Sequence, residues 1–458
     1  MSHFFSSGRL FSIGNLFINK GFSHGVHPPH HKEQTEDLPI QRVPFVKRYI
    51  MPLGQHIGVP AEAIVKVGDV VQRGELIARP KGFISTALHS PVTGTISDIG
   101  MHRYVDGSFK MAIEIEADPY ATQQYINRQK SVNVEDMNIK QFIDAVQMSG
   151  IVGMGGAAFP SHVKYSIPDE QKITDLLVNG AECEPYLTND HRLMVERPEA
   201  VLRGCEILRQ RLGAGRVAIG VEKNKPESIS QLKKYLTTDM PIDIVALEVK
   251  YPQGAEKMLI KSIYNKELPA GKLPRDIGVA VNNVGTIVAL SDYFDHGMPL
   301  IERIVTLAGP GVHEPANLIV PIGTPIRDVL DFAGGLKDET REVISGGPMM
   351  GSPIADLDAP ILKGTSGILA FTESETSRPP EYPCIRCARC LEACPYFLNP
   401  SRLALLGKAR LFTAMQEKYH VMDCVECGAC TYACPSNIPI VQHIRTAKDN
   451  LRNRKIEH

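Results

Sequence analysis

The chain has 458 residues, with 50 lysines and arginines against 51 aspartates and glutamates, and 43% of its residues are hydrophobic. That length corresponds to about three domains at roughly 150 residues each, and the hydrophobic content excludes a disordered chain. The near-neutral balance excludes a polybasic nucleic-acid arm or an acidic tail as the main business of the chain, and no uncharged apolar run reaches the roughly 18 residues a membrane-spanning helix needs.

Residues 1–37 read as an N-terminal extension. Up to Lys32 it holds no acid and three bases, Arg9, Lys20 and Lys32. Phe4, Phe11 and Ile18 recur every seven positions, beside Leu10 and Phe17, as in an interfacial helix or a weak targeting peptide. Gly8 and Gly14 disfavour a stable helix, so a loose or partner-docked tail is expected. His24, His27, His30 and His31 lie close together, but Pro28-Pro29 breaks any helical spacing. They are expected on a surface loop rather than around a metal.

Residues 38–120 read as short strands with tight turns. V-K-V-G-D-V-V-Q-R-G-E-L-I-A-R-P (65–80) and H-S-P-V-T-G-T-I-S-D-I (89–99) place β-branched residues around Gly68-Asp69 and Gly74. Gly-Asp suits a turn that needs a positive φ. The pattern resembles the biotinyl/lipoyl barrel-sandwich fold. The position of the modified lysine in lipoyl domains falls near Phe83, and Lys81 lacks the D-K-A context, so a structural module is expected.

From 133 to 297 helical and strand-like runs alternate, which predicts an α/β unit. V-N-V-E-D-M-N-I-K-Q-F-I-D-A-V-Q-M-S-G reads as a helix closed by Gly150, and I-T-D-L-L-V-N and G-R-V-A-I-G-V as buried strands. The loop G-I-V-G-M-G-G-A-A-F-P (150–160) holds Gly153, Gly155, Gly156 and Phe159. Glycines let backbone amides approach a phosphate or a flat ring. V-N-G-A-E-C-E-P (178–185) brings Asn179, Glu182 and Glu184 together; Y-P-Q-G-A-E-K (251–257) brings Gly254 and Glu256; A-V-N-N-V-G-T (280–286) brings Asn282, Asn283 and Thr286. Polar loops after apolar strands are where α/β folds bind ligands, and are also ordinary turns. Residues 298–371 include S-G-G-P-M-M-G (345–351), whose glycines read as turns first.

Eight of the ten cysteines fall within residues 378–446, in C-I-R-C-A-R-C-L-E-A-C-P (384–395) and C-V-E-C-G-A-C-T-Y-A-C-P (424–435). A disulfide scaffold spreads its cysteines through a small secreted chain, whereas this clustering indicates metal ligation. The spacing C-x2-C-x2-C-x3-C-P brings three thiolates to one [4Fe–4S] cluster and sends the fourth to another. Cys384, Cys387, Cys390 and Cys434 are thus expected at one cluster, and Cys424, Cys427, Cys430 and Cys394 at the second. A pair of zinc sites is the alternative. Between the runs, Leu403, Leu406, Leu411, Ala414 and Met415 predict one apolar helical face, with Ser401 as N-cap after Pro400. Residues 447–458 read as a C-terminal tail.

Together the central motifs resemble the flavin-binding subunit of respiratory complex I. Its G-R-G-G-A-G-F-P loop matches at Gly153, Gly155, Gly156, Phe159 and Pro160, and its following L-K-W at Lys164. N-A-D-E-x-E-P matches at Asn179, Glu182, Glu184 and Pro185; G-E-E at Gly254 and Glu256; N-N-V-E-T at Asn282, Asn283 and Thr286. Ala181, Ala255 and Gly285 stand where that family has acids. The resemblance implies FMN held by the glycine loop, Lys164 and the asparagines, with NADH stacked near Phe159 and Glu184. Residues 298–371 resemble the β-grasp module that follows the flavin domain there. The order barrel-sandwich, flavin domain, β-grasp domain and helical two-cluster ferredoxin resembles the RnfC subunit of the bacterial Rnf ion-translocating electron transport complex. This implies a peripheral subunit on the cytoplasmic face of the inner membrane. It would exchange electrons between NADH and a ferredoxin-like iron–sulfur subunit, with Na⁺ or H⁺ moved elsewhere in the complex. A corrinoid reductase of the propanediol-utilisation type, or a flavin-less iron–sulfur adaptor, are the alternatives.

Overall fold

A computed structural model describes residues 20–126, 133–168, 170–377 and 379–454. The Phe4–Ile18 pattern lies outside the described residues. Residues 20–37 differ from the expected tail, because they are docked along the central unit. Val26 and Tyr251 exchange backbone hydrogen bonds of 2.9 Å in both directions. Lys32 is buried and donates to the carbonyls of Glu182 (2.9 Å) and Glu184 (3.0 Å), and also to that of Leu187. Backbone bonds and one ammonium hold this segment, so no apolar period announces it. His24 and His27 are exposed there, with Nδ1 atoms 3.2 Å and 3.1 Å from the carbonyls of Cys394 and Val249.

The alternating strands of residues 48–117 form two small sheets. Arg48–Pro52, Phe109–Ala117, Gly94–Arg103 and Val70–Val71 make one, and Glu62–Ala63, Leu76–Arg79 and Leu88–His89 the other. Tyr49, Met51, Ile77, Leu88, Ile96, Ile113 and Ile115 fill the space between them. Strand Ile40–Arg42 leaves this unit and pairs in parallel with Ala316–Pro321. It becomes the edge of a six-stranded mixed sheet that also holds Glu302–Ala308, Gly367–Thr372, Thr340–Ser345 and Ser352–Pro353.

The central unit is a four-stranded parallel sheet in the order Ile242–Leu247, Arg216–Glu222, Asp175–Gly180, Val279–Asn283. Leu176, Val178, Val217, Ile219 and Val221 are buried, as the continuous apolar runs require. The chain steps away from Asp175–Gly180 on one side and returns on the other with Val279–Asn283. This leaves a topological switch point at the carboxyl ends of those two strands. Helices Pro198–Leu212 and Val284–His296 pack so closely that a Cβ on Gly204 would lie 2.1 Å from the Ile287 carbonyl oxygen. The expected helix before Gly150 spans Ile139–Met148, and Gly150 follows with φ +77°.

Lys363 joins three of these units. Its fully buried ammonium donates to the carbonyls of Ala87 (2.8 Å) and Gly150 (2.7 Å) and to Thr86 Oγ1 (3.4 Å). Burial pulls its pKa down to about 7.

The cysteine module is helical. Its expected single helix is two, Pro400–Lys408 and Phe412–Tyr419, broken at Arg410 with φ +54°. Leu411 falls in the break and is exposed. The N-cap is Asn399, whose Oδ1 accepts the Arg402 N–H at 3.0 Å, not Ser401. Pro400 occupies the first helical position, which shifts the cap one residue earlier than read.

The packing makes two outcomes testable. Gly204→Val should destabilise the fold by about 1–3 kcal/mol, through overpacking between two helices; a lowered apparent Tm in anaerobic calorimetry checks it. Lys363 has a folded pKa below its unfolded one, so the unfolded state binds the extra proton between about pH 7 and the ordinary lysine value of 10.5. Its contribution to stability should therefore rise with pH across that window. The Tm difference between wild type and Lys363→Met, measured at pH 7 and pH 9, should shift in favour of wild type at the higher pH.

Candidate functional site

The loops at the carboxyl ends of the parallel strands converge with loop 150–160. That loop closes on itself, the Gly153 N–H donating to the Phe159 carbonyl at 2.7 Å and the Ala158 N–H to the Gly153 carbonyl at 3.1 Å. It is seated on helix Val284–His296 by the Met154 N–H, which donates to Thr286 Oγ1 at 2.9 Å. A Cβ on Gly155 would touch Asn283 at 3.6 Å, whereas one on Gly156 would meet nothing within 4 Å. Gly156 has φ +104° and Ala158 φ +47°, so the turn presents its backbone outward to open space.

The strand-end residues form pairs around this opening. Asn179 Nδ2 donates to the Gly254 carbonyl at 2.8 Å, and Asn179 Oδ1 accepts the Ala181 N–H at 3.1 Å. Lys164 Nζ lies 3.7 Å from Glu256 and 3.4 Å from the Val281 carbonyl. Asn283 caps its helix through the Gly285 N–H at 2.8 Å, and its Nδ2 donates to Asp190 at 2.6 Å. Asn282 Oδ1 accepts the Tyr165 hydroxyl at 2.8 Å, while its buried Nδ2 finds no partner. Glu184 Oε2 accepts the Met349 N–H at 3.0 Å, while its buried Oε1 is likewise unpaired. Burial pushes the Glu184 carboxyl up to about 7.

Glu182 departs from the expected arrangement. Its carboxylate accepts the Asp190 N–H at 2.6 Å and the His191 N–H at 3.3 Å, beside buried Lys32 at 4.0 Å. It caps the helix Asn189–Glu196 from inside the fold and does not face the opening. Three contributors carried no motif of their own. Lys32 holds the 182–187 loop. Tyr251 sits between Glu184 and the cysteine module, its hydroxyl donating to the Cys427 carbonyl at 2.6 Å. Arg303 reaches Met154 from the six-stranded sheet.

In the cysteine module, short helices Arg389–Glu392 and Ala429–Tyr432 carry the third cysteine of each run, each after a left-handed residue, Ala388 or Gly428. Cys384, Cys387, Cys390 and Cys434 line one wide cavity. Cys394, Cys424, Cys427 and Cys430 line a narrow one. The fourth cysteine of each run thus crosses to the other run's cavity. Burial pushes the Cys427 thiol up to about 12. A thiolate there requires a cation, as soft-metal ligation provides. Among the described residues, no group of three or more His, Cys, Asp or Glu side chains is arranged to hold a metal ion; the cysteines ring cavities instead.

Comparison with known proteins follows the same division. The family described as RnfC barrel sandwich hybrid domain matches residues 20–120, Nuo51 FMN-binding domain 146–292, SLBB domain 304–353 and 4Fe-4S dicluster domain 383–438. The chain is 43% identical, over 94% of each chain, to the RnfC-type subunit of a proton-translocating ferredoxin:NAD⁺ oxidoreductase complex from Clostridium ljungdahlii. The chain belongs to the RnfC family. The corresponding subunit of a Na⁺-translocating ferredoxin:NAD⁺ oxidoreductase complex from Acetobacterium woodii is 39% identical over 93% of this chain and 96% of that one. That of an ion-translocating oxidoreductase complex from Rhodobacter capsulatus is 40% identical over 98% and 87%. Within this family the corrinoid-reductase and flavin-less readings are not favoured.

The residues present fit the groups the family implies. An outward-facing glycine turn, a helix N-terminus, and two buried polar atoms without partners surround the flavin-side opening, and buried polar atoms normally have partners. Eight thiols divided into two fours suit two iron–sulfur clusters. Anaerobically prepared protein should contain about eight irons per chain. Cys394→Ser should alter the electron paramagnetic resonance signal of the cluster at Cys424, Cys427 and Cys430. A change confined to the signal of the other cluster would refute the crossed arrangement.

Proposed function

We propose that this RnfC-family chain is the NADH-reacting, electron-exchanging subunit of a membrane-bound ion-translocating complex, attached peripherally on the cytoplasmic face. Its partner is a ferredoxin-like iron–sulfur subunit. No helix among the described residues is long and apolar enough to cross a membrane. Two relatives of similar identity are named for different ions, H⁺ and Na⁺, so the choice of ion belongs to other subunits.

In this reading FMN is held by the backbone of Gly153, Gly155 and Gly156, by Lys164, Asn179 and Gly254, and by Asn282, Asn283 and Thr286. Glu256 stands with Lys164, and Phe159 and Glu184 receive NADH. Bound FMN links the two-electron chemistry of a nicotinamide to the one-electron chemistry of iron–sulfur clusters. The side chains position and enclose; none is required as an acid or base. Glu184 offers a free carboxylate oxygen, Lys32 fixes its loop from below, and the glycine turn keeps the opening narrow. One contact carries the reading: Tyr251, beside Glu184, donates directly to the Cys427 carbonyl. The nucleotide end and the narrower cysteine ring therefore adjoin within a single packed unit.

Glu184→Gln tests it. Losing a hydrogen bond to a charged group should raise the KM for NADH by about 10- to 150-fold, with flavin content unchanged, in NADH-to-ferricyanide kinetics. A lowered Tm with wild-type KM would leave Glu184 only its bond to Met349.

A further inference from the structure

Arg303 lies on the six-stranded sheet, yet its side chain enters the central unit. It is 5% exposed. Nε donates to the Thr365 carbonyl at 3.2 Å, one terminal nitrogen meets the Met154 sulfur, and the other lies 3.5 Å from the Met154 carbonyl. The first terminal nitrogen is also 3.5 Å from where a Cβ on Gly285 would stand, in the first turn of helix Val284–His296. The guanidinium is thus wedged between the glycine loop and a helix N-terminus.

Its partners are poor for a buried cation. A guanidinium carries five N–H donors, and a thioether is a weak acceptor. None of the three contacts is to a carboxylate. The acid that acts on its charge is Asp190, whose oxygens already accept from Asn283 (2.6 Å) and Asn189 (3.1 Å). A buried charge is costly unless it is paired. The loop itself brings no cation, because Met154 stands where the resembling G-R-G-G loop has arginine, and Lys164 already faces Glu256. Outward loop amides, a helix N-terminus and an incompletely satisfied guanidinium together make a site for a dianion.

We propose that Arg303 supplies the positive charge that selects the phosphate end of the flavin, making this protein specific for FMN over a flavin without phosphate. The assignment rests on the flavin reading above. The six-stranded sheet then contributes to cofactor choice as well as to packing.

The test uses the full chain with both clusters, freed of flavin and titrated with FMN and with riboflavin while flavin fluorescence is followed. Wild type should prefer FMN. Arg303→Met should lose about 10- to 100-fold in FMN affinity and bind riboflavin as wild type does, while Arg303→Lys should keep most of the preference. If Arg303→Met does not fold, Arg303→Gln takes its place, with Arg303→Lys as its charged control. Equal losses for both flavins, or an unchanged FMN-to-riboflavin ratio, would overturn the role of Arg303. Wild type that binds neither flavin would overturn the flavin reading itself.

Discussion

A single ammonium group sits where three folding units meet. Lys363 leaves the six-stranded sheet and ends among the carbonyls of Ala87, in the barrel-sandwich unit, and Gly150, at the root of the glycine loop. No carboxylate is among its bonding partners. It is held by oriented carbonyl dipoles, which stabilise it only while all three units stay in place. Gly150 is where the loop leaves its preceding helix, so the placement of the loop depends on domain docking. A surface salt bridge would add little here, because exposed pairs are worth about 0–1 kcal/mol.

The rest of the site follows the geometry of a parallel sheet. Its strands end along one edge, and the strand order reverses beside Asp175–Gly180. Three loops from that edge supply the asparagines and glutamates. Two further elements close the space, the docked residues 20–37 below and the 345–351 turn above. Gly347 shows how tightly the upper one fits, since a Cβ there would lie 2.3 Å from Glu184 Oε2. The acids and lysines beneath the opening compensate one another. Lys225 donates to Glu222 at 2.8 Å and to the Glu182 carbonyl at 3.3 Å, beside Lys32.

The parts legible in the sequence are those with short-range chemistry. Cysteine spacing reports two groups of thiols, and turn residues such as Gly68 and Gly150 mark positive φ. The strand-end motifs point to one edge of one sheet. What is not legible arises from contacts between distant segments. Lys32, Arg303 and Lys363 each act more than 100 positions away from their own place in the chain, and a lone basic residue has no period to betray it. Glu182 matches its motif yet faces inward, because a free helix N-terminus at Asp190 takes its carboxylate. Strand Ile40–Arg42 reads like its neighbours but pairs with a sheet whose other strands begin at residue 302.

The crossing of Cys394 and Cys434 has a consequence for biosynthesis. Each ring takes three sulfurs from one run and its fourth from the other. While the ribosome has delivered only the first run, neither ring has four ligands. Maturation must therefore wait for the second run, and the intervening helices Pro400–Lys408 and Phe412–Tyr419 must first fold back to bring the runs together. A lesion in either run then reaches both centres, so partially loaded chains should be rare and the protein should mature as all or nothing.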